Sequence, residues 1–461
     1  MNMLFAEHIL LSHGTHSQWH NNKTLLIDNG VIVDIVDGQL DGADIAEGPV
    51  IPGMVNCHSH AFQRGFAGFS EQGSQGNDSF WTWRKIMYQF LDVISVEQAQ
   101  VIANQLYIEM VKAGYTRVAE FHYLHHQPDG QNYHQLAAMA DALFDAAEQA
   151  GIGITMLPVL YRYSGFGPLP ANDGQKRFIN DVEQFNQLVS DCFASASKRA
   201  NANVGIAPHS LRAVDKPSLQ AAVTHVRNLD ATAPIHIHIA EQQKEVNDCH
   251  AHYGMRPVQW LLDNMSIDQH WCLIHATHID QQELQGIVDA GAVAGICPTT
   301  EANLGDGIFP TTEFISKGGR VAIGSDSHIS VSAIEELRLL EYAQRLVRQQ
   351  RAILADNQTP SVGQFLWHHT AQAGALSTSS NSGELAVGKQ ADLIVLSNER
   401  NSLFANSTKH LLDSVVFASQ ASPIKDVMVN GQWVVRDGKH AQEQQVADRF
   451  ATVLQDLAGN R

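Results

Sequence analysis

The run Pro52-Gly-Met-Val-Asn-Cys57 passes directly into His58-Ser59-His60. It is mostly apolar, does not alternate, and is opened by Pro and Gly. Such a run reads as a strand buried on both faces, the kind found in a parallel sheet. Seven similar runs follow: Thr116–Phe121, Gly153–Val159, Asn203–Ala207, Ala233–Ile239, His270–Ile274, Ala292–Cys297 and Arg320–Ser325. Longer helical patterns lie between them, among them Val96–Ala113, Leu136–Ala150 and Phe178–Arg199. After the eighth run, Ile334, Leu337, Leu340 and Val347 fall on one helical face. Eight alternating units predict an α/β chain built on a parallel (β/α)8 TIM barrel.

Outward from this core the character changes. Thr24–Asp28 and Val31–Ile35 flank Asn29-Gly30, a two-residue hairpin signal. Ala391–Leu396 and Ser414–Ala418 read as strands, and Asp426–Val429 and Gln432–Arg436 flank a second Asn-Gly at Asn430-Gly431. The two β-rich ends are expected to pair with each other. The expected division is a barrel over 51–384 and a small β domain formed by 1–50 with 385–461. The Ser-rich stretch Ser377–Ser382 reads as the link between them.

Composition narrows the class. The chain has 30 Lys and Arg against 48 Asp and Glu, a formal charge of −18, and no basic stripe to neutralise phosphates. A nucleic-acid partner is therefore not expected. No apolar run approaches the roughly 18 residues of a membrane span, so no membrane partner is expected either. The five cysteines contain no CxxC pair. That predicts a reducing, cytoplasmic setting without disulfides.

In a parallel barrel, functional side chains sit where strands end. Run one ends in His58 and His60, whose i, i+2 spacing puts both on one face. Run five carries His236 and His238, which also share a face, with Glu241 just beyond. Run six ends at His275 and run eight at Asp326. Imidazoles with one carboxylate suit a divalent metal, Zn²⁺ or Fe²⁺. On strand geometry alone, His236 competes with His238 as a ligand or stands as a core residue.

The segments VIPGMVNCHSH, HIHIAE, LIHATH, IGSDSH and GELAVGKQADLIVL closely resemble the amidohydrolase superfamily over nearly the whole chain. That resemblance implies a distorted (β/α)8 barrel with a small β-sandwich from both termini. It implies one metal held by His58, His60, His238 and Asp326, most simply Zn²⁺. It also selects His238 over His236 and places the chain with the mononuclear deaminases. Glu241 is then the proton shuttle, Asp326 both ligand and proton acceptor, and His275 the group that orients the attacking water. Ser327 and His328 stand behind Asp326, and Glu120 is a candidate for a second metal.

Arg84 and Arg212, in separate loops, suggest a substrate with two carboxylates, because arginine clamps a carboxylate bidentately. HSHAFQRGFAG, WTWRKIMY, AEFHYLHH, APHSLRAV, HIHIAEQQKEV and CPTTEANLGDGIFP resemble a narrower branch. Its members hydrolyse N-formimidoyl-L-glutamate to N-formyl-L-glutamate and ammonia, in histidine degradation. This resemblance implies that Gln63, Arg84, Tyr123, His209 and Arg212 bind that small dianionic substrate, and that the protein is a homodimer. Another deaminase, acting on a nucleobase, nucleoside or triazine, is the first alternative; a non-catalytic scaffold is the second. Gly65–Phe80 is the candidate lid.

Overall fold

The computed structural model describes residues 1–69, 71, 87–88, 90–397 and 408–459. Arg84 and most of the candidate lid lie outside these residues.

All eight expected runs form parallel strands. In one sheet Met54–Ser59 pairs with Tyr115–His122, which pairs with Gly153–Leu160, beside which lie Ala202–Val204 and Ala207–Pro208. In the other, Ile235–Ile239, Trp271–His275, Val293–Ile296 and Arg320–Ile323 follow in order. Hydrogen bonds reach across both pairs of edges. His236 N donates to Ile206 O at 3.0 Å, and Asp326 N donates to His58 O at 3.0 Å. The strand expected over Asn203–Ala207 is broken at Gly205, where a Cβ would lie 2.1 Å from Pro234 O. Only glycine permits that approach.

The helices between strands close the layers. Val96–Lys112 starts at a capping box, Ser95 with Gln98, and buries Ile102, Leu106 and Met110. Ala138–Ala150 and Val182–Ala196 match the expected positions within a few residues. On helix Ala333–Arg348, Ile334, Leu337 and Leu340 are buried, but Val347 is 64% exposed. It lies in the last turn, beyond the surface that covers the rest of that face. Helix Val362–Ser377 packs beneath the strands and donates from Trp367 Nε1 to Pro52 O at 3.0 Å.

Both chain ends enter a single nine-stranded sheet. Asn2–His13 pairs with His16–Asp28, and that strand pairs with Val31–Asp37. Val50–Pro52 joins the N-terminal strands to Leu393–Leu396, which continues to Ile424–Val429 and Gln432–Arg436. Asn29 and Gly30 have φ of 48° and 80°, as the expected tight hairpin requires. The segment expected as strand Ser414–Ala418 is instead part of helix Leu411–Ala418. Leu411, Leu412, Val415 and Val416 are buried at helical spacing. A short apolar run does not distinguish the two states by itself. Among the described residues, no helix is long and apolar enough to cross a membrane. All five cysteines are buried free thiols.

Candidate active site

The C-terminal ends of the strands bring the expected ligands together. His58 Nε2 and His238 Nε2 lie 3.0 Å apart. Asp326 Oδ1 lies 3.4 Å from His58 Nε2 and 3.3 Å from His60 Nε2. His60 Nδ1 donates to Phe121 O at 2.8 Å, which leaves its Nε2 as an acceptor facing the cluster. Nitrogens bound to one ion at about 2.0–2.1 Å lie roughly 3–3.5 Å from each other. Two imidazole nitrogens at 3.0 Å otherwise need a shared proton. The donor set and its spacing therefore fit a divalent cation, and these His and Asp groups can hold a metal.

Burial holds the His58 and His238 imidazoles far below their usual pKa, with the neighbouring histidines adding to it. Burial also lowers that of His60, against the pull of Asp326. All three are thus in the neutral form that ligates. The backbone around them is strained. Ala240, His275, Ala276, Asp326 and His328 all have φ between 45° and 68°. Non-glycine residues seldom adopt this region, and strand ends that do so often carry function.

His236 is separate from the cluster. Its Nε2 donates to Ser377 O at 2.7 Å, beneath the parallel strands. Both histidines point to the same face, but His236 lies one layer deeper.

His275 stands beside the metal cluster. Its Nε2 is 3.8 Å from Glu241 Oε1 and 3.8 Å from Asp326 Oδ2. With His58 and His238 it also forms a group compact enough for an ion. Burial lowers the pKa of His275, but Glu241, Glu301 and Asp326 outweigh it and leave it well above the usual value. Burial raises that of Glu241, with nearby Asp326 adding to burial and His275 opposing it.

A small cavity opens above this cluster. Gln63, Tyr123, His209 and Arg212 line it together with Glu241 and His275. Gln63 Nε2 donates to Tyr123 Oη at 3.4 Å. The His209 ring lies 4.9 Å from that of His238. Arg212 Nη1 donates to Tyr161 Oη at 3.2 Å. Burial lowers the Arg212 pKa, but Tyr161, Glu245 and Tyr88 overcome it, so the guanidinium stays charged. Arg84 lies outside the described residues.

Glu120, the candidate for a second metal, is engaged by protein donors. Its carboxyl accepts from Ala61 N at 2.7 Å, Ser59 Oγ at 2.7 Å and Tyr107 Oη at 3.0 Å. These donors take its oxygens beneath the His58–His60 turn. His328 bonds Ser59 and Ser325, and Ser327 bonds Thr300, so both brace the strand ends.

Two buried acids escaped the sequence reading. Glu301 Oε1 accepts from His275 Nδ1 at 3.1 Å. Glu245 Oε2 accepts from Glu241 N at 3.1 Å. Glu245 had a signal, standing one helical turn beyond Glu241. Glu301 had only its place in the first turn of a Pro-initiated helix, where a carboxylate usually means a cap.

The amidohydrolase family profile matches residues 50–434. The chain belongs to the amidohydrolase family. It is 49% identical to formimidoylglutamate deiminase of Pseudomonas aeruginosa, over 99% of this chain and 100% of that one. The crystal structure of an amidohydrolase from Brucella melitensis superposes with a TM-score of 0.93 at 43% identity, covering 99% of this chain and 100% of that one. An adenosine deaminase from Xanthomonas campestris, solved with bound zinc, shares the fold at a TM-score of 0.79 and 19% identity, over 98% of each chain.

Proposed function

We propose that this amidohydrolase hydrolyses N-formimidoyl-L-glutamate to N-formyl-L-glutamate and ammonia. The observation that carries the reading is an Arg212 guanidinium opening onto the same chamber as the metal cluster and Glu241. It occurs in a chain 49% identical, end to end, to a formimidoylglutamate deiminase.

His58, His60, His238 and Asp326 would hold one divalent metal, Zn²⁺ in this reading with Fe²⁺ the alternative. When bound, it supplies the Lewis acidity that lets water ionise near neutral pH. Asp326 accepts a proton from that water, whose oxygen adds to the formimidoyl carbon. Glu241 delivers a proton to the imino nitrogen, and burial raises its pKa, which favours the protonated form that this role needs. His275 Nε2 orients the attacking oxygen. Breaking the C–N bond, with a second proton passed through the Asp326–Glu241 pair, releases ammonia and leaves the formyl carbonyl.

Arg212 holds one glutamate carboxylate, and Arg84 is assigned the other. Gln63, Tyr123 and His209 supply the neutral polar wall. With a net charge of −18, a dianion must be held by local cations rather than drawn by the surface.

The same reading takes the two parallel sheets as halves of one distorted eight-stranded barrel over 51–384. The 1–50 and 385–461 segments form the companion β domain. It also takes the protein as a cytoplasmic homodimer, which light scattering on the purified chain tests. The decisive assay is steady-state ammonia release from N-formimidoyl-L-glutamate beside guanine, cytosine and adenosine. Turnover of a base and not of the formimidoyl compound would sink the substrate while leaving the family intact.

A further inference from the structure

Glu301 is a buried acid that the reaction above does not use. It lies on helix Pro298–Leu304, just after strand Val293–Ile296. Cys297 is the N-cap residue of that helix and makes no side-chain cap bond. Glu301 reaches back instead, and its Oε1 accepts from Cys297 N at 2.9 Å. The same oxygen accepts from His275 Nδ1 at 3.1 Å. One carboxylate oxygen thus ties the end of one strand to the side chain at the end of its neighbour.

The contact constrains His275 chemically. An ionised carboxylate only accepts, so the hydrogen between Glu301 and His275 belongs to Nδ1. Nε2 is the atom that faces Glu241 and Asp326, at 3.8 Å from each. Neither distance is a hydrogen bond. The His275 backbone sits at φ 68° and does not itself settle how the ring turns about its Cβ–Cγ bond. The strap to Glu301 does.

We propose that Glu301 is the positioning residue for His275, fixing its ring orientation so that Nε2 is presented to the attacking water. Glu301 itself touches no substrate. This rests on the deiminase reading for its assay, but not for its geometry. Supporting carboxylates that orient an active-site imidazole cost about 10–100-fold when removed.

The test uses the full-length, metal-loaded protein and the variants Glu301→Ala, Glu301→Gln and Glu301→Asp. Glu301→Ala is expected to lower kcat for ammonia release from N-formimidoyl-L-glutamate by about 10–100-fold. KM and metal content should stay near wild type. Glu301→Gln keeps an amide oxygen that accepts from both N–H groups, and should recover most of kcat. Should Glu301→Ala not fold, Glu301→Asp serves in its place. It keeps the charge but draws the oxygen back by one methylene, and should lower kcat with folding and metal intact.

Wild-type kcat in Glu301→Ala or in Glu301→Asp overturns the proposal. Loss of metal in step with activity overturns it too, since that marks a ligand. If the wild type itself does not turn over the formimidoyl compound, the substrate reading fails separately. The crystal structures of metal-loaded wild type and Glu301→Ala then decide this proposal. A rotated His275 ring upholds it, and an unmoved ring overturns it.

Discussion

The two ends of the parallel strands bury polar groups in opposite ways. At the N-terminal end, Arg117 donates its hydrogen bonds to neutral side chains. Its Nη1 donates to Asn203 Oδ1 at 3.0 Å and Thr155 Oγ1 at 3.3 Å, and its Nη2 donates to Asn201. Asn203 Nδ2 and His236 Nε2 donate to Thr378 O and Ser377 O, at the end of the helix beneath. At the C-terminal end, His58, His60, His238, Asp326, Glu241 and His275 crowd together. They have few hydrogen bonds between them, and His275 and Asp326 have strained backbones. One end spends its polar groups on each other, which is what a stable core demands. The other holds them back from one another, so their chemistry is left for a metal and a substrate.

That contrast can be broken from the active end first. Asp326→Asn should abolish turnover, by on the order of 10⁴-fold, since it removes a proton acceptor and a ligand at once. Metal analysis should show the ion lost or weakly held, while the melting temperature of the apoprotein stays put. Glu241→Gln should lower kcat by about 10²–10⁴-fold and keep the metal. Near-normal ammonia release from that variant would remove Glu241 from its role. Arg212→Ala should act mainly on KM. Losing a charged hydrogen-bonding partner costs about 1.5–3 kcal/mol, or roughly 10–150-fold in kcat/KM. An effect confined to kcat would mean that Arg212 does not hold a carboxylate.

The quiet end should answer in stability. Arg117→Met should lower unfolding free energy by about 2–3 kcal/mol, because Asn203, Thr155 and Asn201 lose a buried donor. Chemical denaturation measures this, and the kcat of the folded enzyme should not move. A smaller, pH-dependent effect belongs to Asp392, which accepts from Asn430 N at 2.6 Å. Burial raises its pKa to about 6, against the pull of that bond and of Arg117. A carboxyl raised in the fold binds its proton more tightly there than when unfolded. Its contribution is therefore full below about pH 4 and is lost as pH rises through about 6. Melting temperatures of wild type relative to Asp392→Asn should fall across that window. A flat difference would contradict the shift.

Much of the site was legible before any coordinates because its residues terminate strands. A run ending in His-Ser-His, a run ending in Asp326 and a run ending in His275 announce themselves by position. The roles of supporting residues were not legible in this way. Glu120 carries the right chemistry at a strand near the site, yet its oxygens are taken by Ser59, Tyr107 and Ala61. Glu301 caps a helix by accepting from Cys297 N, and the same oxygen also holds His275.

The amino-acid sequence by itself determined the eight parallel strands, the two Asn-Gly hairpins and the pairing of the chain's ends. Period, turn chemistry and unbroken apolar runs are local properties, so they survive without coordinates. Tertiary structure alone decided three things: the helix at Leu411–Ala418, the depth that separates His236 from His238, and the strap from Glu301 to His275. Each depends on which distant group lies within a few ångströms, and spacing along the chain carries no record of that.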